Sequence, residues 1–295
     1  MLQYTRQFSQ PFTQIAAMAG SLGAALAAAE RIFDLLDAEE QVADPTPGEV
    51  PATHEGTVSF SHVQFGYTPD KRLMHDVNFT VEPGQKVAIV GPTGAGKTTL
   101  VNLLMRFYEV EGGSIVVDGV PTRDMTREEL RNRFGMVLQD TWLFEGTIRE
   151  NLAYGRDGAT ESDVVRAAKA ASVDSIIRTM PGGYDMVLSS GASNVSQGEL
   201  QLLTIARALV ANPEVMILDE ATSNVDARTE QVIQDAMAEL LRGRTSFVIA
   251  HRLSTIRDAD KILYMEHGDI LETGTHDELM ELNGRYAALY NSQFA

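Results

Sequence analysis

Residues 91–99 read Gly-Pro-Thr-Gly-Ala-Gly-Lys-Thr-Thr and follow directly on the apolar run Val87-Ala88-Ile89-Val90. That order predicts a buried strand, a glycine-rich loop and a helix from Lys97 to about Arg106. Gly91, Gly96, Lys97 and Thr98 meet the pattern G-x-x-x-x-G-K-[ST]. Glycines let the backbone curl until successive N–H groups face inward onto phosphate oxygens, and the helix N-terminus adds its positive dipole end. In this pattern the lysine reaches the β- and γ-phosphates and the Thr98 hydroxyl ligates Mg²⁺. Pro92, Thr93, Gly94, Ala95 and Thr99 complete the candidate nucleotide contacts of the loop. The bland alternative is a tight strand–helix turn that binds nothing.

The 295 residues suffice for one large domain or two, and 44% hydrophobic content is ordinary for a globular protein. A net charge of −17 argues against a nucleic-acid partner, whose phosphates it would repel. It does not argue against a nucleotide, because such a loop works with backbone dipoles and one lysine. The chain has no cysteine, which excludes disulfides, thiolate catalysis and cysteine-ligated zinc and fits a reducing compartment.

Residues 7–29 carry no charge, but Gln7, Gln10, Pro11, Thr13, Gln14 and Ser21 dilute them and much of the remainder is alanine. Ile15 to Leu36 reads as a long helix that needs a partner, or as an ordinary packed helix of the same domain. Asp44-Pro-Thr-Pro-Gly-Glu-Val-Pro51, with three prolines in eight residues, stops any helix and marks a stiff linker over 44–55. Alternation over Val58–Phe65 and Val77–Val81 predicts two strands, with Tyr67 in the loop between them. A loop tyrosine reads either as surface decoration or as a flat ring on which a base stacks. Further strands are expected at Ser114–Asp118 and Gly135–Leu138, the latter ending at Gln139. A largely helical region follows over 147–184, with Ser162–Ala171 as an amphipathic helix capped by Ser162.

Asn194-Val-Ser-Gln-Gly-Glu199 opens a helical pattern over Leu200–Val210; Ser196 and Gly198 there suit either a plain cap or an anion contact. Val215–Leu218 is a short buried strand ending in Asp219-Glu220. Beside a phosphate loop these acids have tasks, Asp219 in the Mg²⁺ shell and Glu220 polarising the attacking water. Thr245–Ile249 is another such strand, after which His251 falls on the same ligand edge or is a mere strand-end histidine. A hairpin over Lys261–Leu271 and two short helices over Thr275–Gln293 close the chain.

Taken in order, these motifs resemble the nucleotide-binding domain of ATP-binding cassette (ABC) transporters. The resemblance runs from about Gly56 to the C-terminus. It matches Tyr67 to the adenine-stacking aromatic, Gly91–Thr99 to Walker A and Gln139 to the glutamine that contacts Mg²⁺ and water and faces the membrane domain. It matches Asn194–Glu199 to the signature, Val215–Glu220 to Walker B with its catalytic glutamate, Ser223–Asp226 to the D-loop and His251 to the switch histidine. It implies an α/β fold: a P-loop NTPase core with a mainly parallel sheet, an N-terminal antiparallel β subdomain over part of 56–295, and an inserted helical subdomain at about 140–200. Upstream, residues 3–11 and 27–33 look like the cytoplasmic end of the last transmembrane helix of bacterial exporter-type half-transporters. Residues 1–43 would then be the end of a six-helix membrane domain lying mostly outside these residues.

The resemblance further implies an Mg²⁺-dependent ATPase with catalytic roles for Lys97, Gln139, Glu220 and His251, and with Thr98, Gln139 and Asp219 around the metal. It implies two partners, a membrane domain and a second cassette whose Ser196 and Gly198 clamp the ATP head to tail, at the cytoplasmic face of the cell membrane. A chain lacking its membrane domain would instead be soluble and cytoplasmic. A regulatory subunit with little turnover and a non-transport cassette ATPase are the alternatives. Two departures stand out. The family's LSGGQ reads Val195-Ser-Gln-Gly-Glu199 here, so that a carboxylate replaces a neutral amide near the expected nucleotide, where like charge would oppose closure unless the side chain turns away. Ser190 stands where exporters often carry a glutamate that touches the membrane domain.

Overall fold

A computed structural model of the chain describes residues 2–46, 55–68, 70–138, 141–219, 226–250 and 253–294. These fall into two compact units, Met1–Ala43 and Asp44–Ala295.

The first unit is a single helix, α1, Leu2–Leu36. It begins well before the expected Ile15 and passes through Pro11, whose fixed φ is helix-compatible and removes only one ladder bond while the turns on either side stay paired. Phe8, Phe12, Ile15, Met18, Leu22 and Leu26 recur at steps of three and four and are 60–72% exposed, an apolar stripe left open among the described residues. The stretch Gln10–Leu36 is long and apolar enough to cross a membrane.

In the second unit, β1 (Val58–Thr68) and β2 (Lys71–Val81) form a long antiparallel hairpin. Sequence alternation breaks at Ser61-His62, both exposed, where His62 takes φ 51° and a bulge resets the register. Val58 and Phe60 before it, and Val63 and Phe65 after it, therefore all face the core. β3 (Lys86–Val90) leads into the phosphate loop and α2 (Lys97–Leu104). β4 (Gly112–Val117) and the short β5 (Val120–Pro121) complete a four-stranded antiparallel sheet of order β2-β1-β4-β5.

α3 (Arg127–Arg131) precedes β6 (Phe134–Val137). A helical segment then intervenes: α4 (Ile148–Ala153), α5 (Glu161–Ala170) and α6 (Asp174–Thr179), flanked by a two-stranded ribbon of β7 (Gly146–Thr147) and β8 (Val187–Leu188). α5 starts one residue before the expected Ser162, and its cap is Thr160. Thr160 finds a carboxylate three residues on, in Asp163, and the two cap each other, whereas Ser162 has Val165 at that position.

The chain continues through α7 (Gln197–Ala211), β9 (Val215–Asp219), α8 (Ala227–Leu241), β10 (Thr245–Ile249), α9 (Leu253–Arg257), β11 (Lys261–Glu266), β12 (Asp269–Gly274), α10 (His276–Glu281) and α11 (Arg285–Phe294). The second sheet has the order β12-β11-β3-β10-β9-β6 and is parallel throughout except for its β11–β12 edge. Its central strands are apolar on both faces because both faces are covered. Val87, Ile89, Val215, Ile217, Phe247 and Ile249 enter one core with the antiparallel sheet and α2. Ala88, Val90, Met216, Leu218 and Val248 enter another with the helical segment, α7 and α8. The strand period of two thus sorts one sheet's residues between two cores.

α2 ends at Leu104, two residues short of the expected Arg106. Arg106 takes φ 51° and sends its buried guanidinium to the carbonyls of Thr122 (3.2 Å) and Met125 (2.7 Å) and to Glu109 (2.8 Å). Arg127 adds a bond to Glu109 at 2.9 Å, and both arginines face Asp44, the first residue of the second unit. The Arg127 backbone N–H, 3.1 Å from Asp44 Oδ2, is the largest cause of that carboxyl lying below its ordinary pKa.

Candidate nucleotide site

β3 emerges from the sheet at Val90, and the loop it feeds is built by close approaches that only glycine permits. A Cβ on Gly91 would stand 2.1 Å from the Met265 carbonyl oxygen, and Gly96, at φ 102°, would be strained by any side chain. Gly96 is also the N-cap of α2 and makes no side-chain capping bond. Lys97 Nζ donates to the carbonyls of Gly91 (2.8 Å) and Pro92 (3.0 Å). Burial lowers the Lys97 pKa, and the opposing attraction of Asp219 raises it in part.

A cleft of about 640 Å³ opens over this loop, lined by Thr93–Thr99, by Tyr67, Thr68, Lys71 and Leu73 of the β1–β2 hairpin, and by Asp219 and Ile249 at the ends of β9 and β10. Four separate stretches of sequence therefore meet at one place. Tyr67 is not in a loop, as expected, but in β1, where Gly66 pairs with Arg72 and Thr68 with Lys71. The hairpin continues past the alternating residues because backbone pairing carries it to the turn, and so the ring is held on a strand. Its hydroxyl lies 2.8 Å from Thr99 Oγ1 in the first turn of α2. Thr98 is exposed to the cleft and Thr99 is buried. Sequence reading missed Lys71, Leu73 and Ile249 as cleft residues; only the hairpin register and the strand order bring them there.

Of the oxygen-bearing side chains that line the cleft, the Thr98 hydroxyl and the Asp219 carboxylate suit a small hard cation that keeps some waters and takes further ligands from phosphate. Among the described residues no group of three or more His, Asp or Glu side chains stands ready to hold a metal unaided.

Ser196 and Gly198 do not line this cleft. Ser196 is the N-cap of α7, and Gly198 is buried in the first turn. The helix starts three residues before the expected Leu200 because Ser196 and Glu199 form a reciprocal capping box. Gln139, Glu220, His251 and the D-loop residues Ser223–Val225 lie outside the described residues, as does the Ser190 side chain. The strands that lead to the first three end side by side: Val137 pairs with Leu218, Ile249 with Asp219, and Ile89 with Ile249.

Residues 74–223 match the family profile described as ABC transporter. The chain belongs to the ABC transporter family. Its fold, an antiparallel β subdomain beside a parallel-rich sheet with a helical insertion, is that of the ABC exporter ATP-binding domain, an ATPase domain. It is 55% identical over 285 residues to the fatty acid ABC transporter ATP-binding/permease protein of Mycobacterium bovis, covering 97% of this chain and 45% of that protein. It is 44% identical to the ATP-dependent lipid A-core flippase of Desulfotalea psychrophila, covering 96% of this chain and 49% of that one. Among solved structures, a bacterial Atm1-family ABC exporter with ATP bound superimposes with a TM-score of 0.82 at 42% identity, over 92% of this chain and 47% of that one. The chain spans about half the length of these ABC relatives.

Proposed function

We propose that the chain binds and hydrolyses Mg·ATP as one of two cassettes in a head-to-tail dimer that powers an exporter at the cytoplasmic face of a membrane. The observation that carries this reading is the convergence of Tyr67, Thr93–Thr99 and Asp219 on one cleft. Its volume of about 640 Å³ is within the range that small-molecule ligands fill. In this reading residues 1–43 are the cytoplasmic end of a membrane domain, 44–55 the linker and 56–295 the motor.

The adenine stacks on Tyr67, and the triphosphate lies along the uncapped N-terminus of α2. Phosphate oxygens replace the Gly91 and Pro92 carbonyls as acceptors for Lys97, whose charge is then matched by an anion instead of being partly desolvated. Thr98, Asp219 and Gln139 would hold Mg²⁺, which when bound neutralises and orients the β- and γ-phosphates. Glu220 polarises the attacking water, and His251 and Gln139 bond to the γ-phosphate and the water. Catalysis is positioning and charge stabilisation, with no covalent intermediate on the protein.

The second cassette supplies Ser196 and Gly198, so neither cassette completes a site alone. Contacts to the γ-phosphate made only in the closed dimer shift the equilibrium toward closure, and hydrolysis removes them. The Gln139 region and the helical segment pass this motion to the membrane domain.

The test is Glu220→Gln. ATP binding is expected to persist, turnover to fall at least 100-fold, and an ATP-bound dimer to accumulate on size-exclusion chromatography. Phosphate release at the rate of the unaltered chain would remove Glu220 from its role. For the unaltered chain, specific activity should rise with protein concentration; a constant specific activity from a species that stays monomeric under ATP would sink the composite site.

A further inference from the structure

We infer that Tyr108 is a positioning residue for the base of the nucleotide, acting through Tyr67; the inference rests on the reading that Tyr67 receives the base. Tyr67, Tyr108 and Phe65 form a three-ring cluster. Tyr67 meets Tyr108 at 5.2 Å between centroids and 89°, and meets Phe65 at 5.0 Å and 80°; Phe65 and Tyr108 are 5.6 Å apart. Both contacts on Tyr67 are edge-to-face, the favoured geometry for ring quadrupoles. Among the described residues no ring lies parallel against Tyr67, which lines the cleft.

Tyr67 needs such support because it is 53% exposed near the tip of a hairpin, where a ring held by its backbone alone would sample several rotamers. Ordering the ring before the ligand arrives removes that cost from binding. Phe65 is buried in the same strand and supports one side. Tyr108 comes from elsewhere. It does not line the cleft, the residue is 44% exposed, and its hydroxyl makes no hydrogen bond among the described residues. Its ring contacts are with Tyr67 and Phe65.

The backbone carrying Tyr108 is pinned on both sides. Arg106 bonds to the Thr122 and Met125 carbonyls, Glu109 accepts from Arg106 and Arg127, and the Phe107 N–H donates to the Asn102 carbonyl at 2.9 Å. α2 thus holds Tyr67 from both ends: Thr99 in its first turn takes the hydroxyl, and Tyr108, four residues past its last turn, takes the ring. The helix that starts at the phosphate loop also sets the base platform. The contribution of Tyr108 should therefore appear with ligands that carry a base and vanish with those that carry only phosphates.

The experiment is isothermal titration of the whole chain with ATP and with inorganic tripolyphosphate, both with Mg²⁺, for the unaltered protein and for Tyr108→Ala, Tyr108→Leu and Tyr108→Phe. Tyr108→Ala and Tyr108→Leu are expected to weaken ATP about 3- to 10-fold, the worth of one edge-to-face pair, and to leave tripolyphosphate within about twofold. Tyr108→Phe should bind both as the unaltered chain does, because the ring and not the hydroxyl makes the contact. Leucine keeps the bulk if alanine unfolds the turn. Equal losses for both ligands, or ATP affinity unchanged within about twofold, would overturn the inference. If the unaltered chain itself binds ATP no tighter than tripolyphosphate, the Tyr67 reading fails first and this one with it.

Discussion

Glu199 turns its carboxylate back on Ser196: Oε2 accepts from the Ser196 backbone N–H at 2.7 Å and from its hydroxyl at 2.8 Å, and the Glu199 N–H returns a bond to the hydroxyl at 3.3 Å. The charge that the sequence sets near an expected nucleotide is therefore committed to the start of α7, where the helix dipole favours an anion. Glu199→Gln keeps an oxygen for the cap, so ATP-driven association should change by less than about fivefold, read by light scattering of an Glu220→Gln background. A tenfold or greater strengthening would mean that the carboxylate faces the nucleotide in the closed dimer. Glu199→Ala loses the box, which is worth about 1 kcal/mol, and should lower Tm by about 2–4 °C.

A second prediction concerns the foot of the β subdomain. Asp118 and Arg133, each side chain 4% exposed, are paired at 2.8 Å, and the other Asp118 oxygen accepts from the N–H groups of Gly56 and Thr57. Asp118→Ala leaves a buried guanidinium uncompensated, which costs about 3–5 kcal/mol, and Tm should fall by roughly 10 °C. Calorimetry checks it, and a loss under 1 kcal/mol would show that water reaches Arg133. Asp118→Asn keeps an acceptor for the two N–H groups and should lose less.

Acid should loosen the helical segment locally. The Asp174 carboxyl is held below its usual range, first by its hydrogen bond from Arg178 and then by that from the Tyr184 hydroxyl at 2.7 Å. Burial first, and Asp174 second, push the Tyr184 phenol well above its ordinary value. Because the folded Asp174 pKa is lowered, its stabilisation is full above the unfolded carboxylate value of about 3.9 and is lost as pH falls through the folded value. Hydrogen exchange in α4–α6 between pH 3 and 6 should show protection dropping at the acid end, and Asp174→Asn should flatten that drop. A pH profile identical in the variant would assign the acid response elsewhere.

Much of the nucleotide domain was legible because its decisive features are local. A glycine-rich loop after an apolar strand, and two further apolar strands ending at Asp219 and Ala250, follow from neighbours in the chain. The expected Thr245–Ile249 strand coincides with β10. Features that depend on distant partners were not legible. Tyr67 was expected in a loop because hairpin pairing with Lys71 and Arg72 cannot be read from alternation. The bulge at His62, the end of α2 at Leu104 and the Tyr108 contact all depend on residues far away in sequence. The cap at Thr160 was legible in principle, since its carboxylate partner stands three residues on, and was missed for Ser162. The cap that takes the Glu199 charge is equally local, since Ser196 stands three residues before it.

The position of Asp44 bears on how a mechanical load would travel. Asp44 opens the second unit, and Arg127 and Arg106 hold its carboxylate. The backbone is caught again at Gly56 and Thr57, whose N–H groups are fastened to Asp118. Both fastenings lie within the second unit. A load that reaches Asp44 therefore falls on this arginine pair, whose other bonds run to Glu109 and to the carbonyls of Thr122 and Met125.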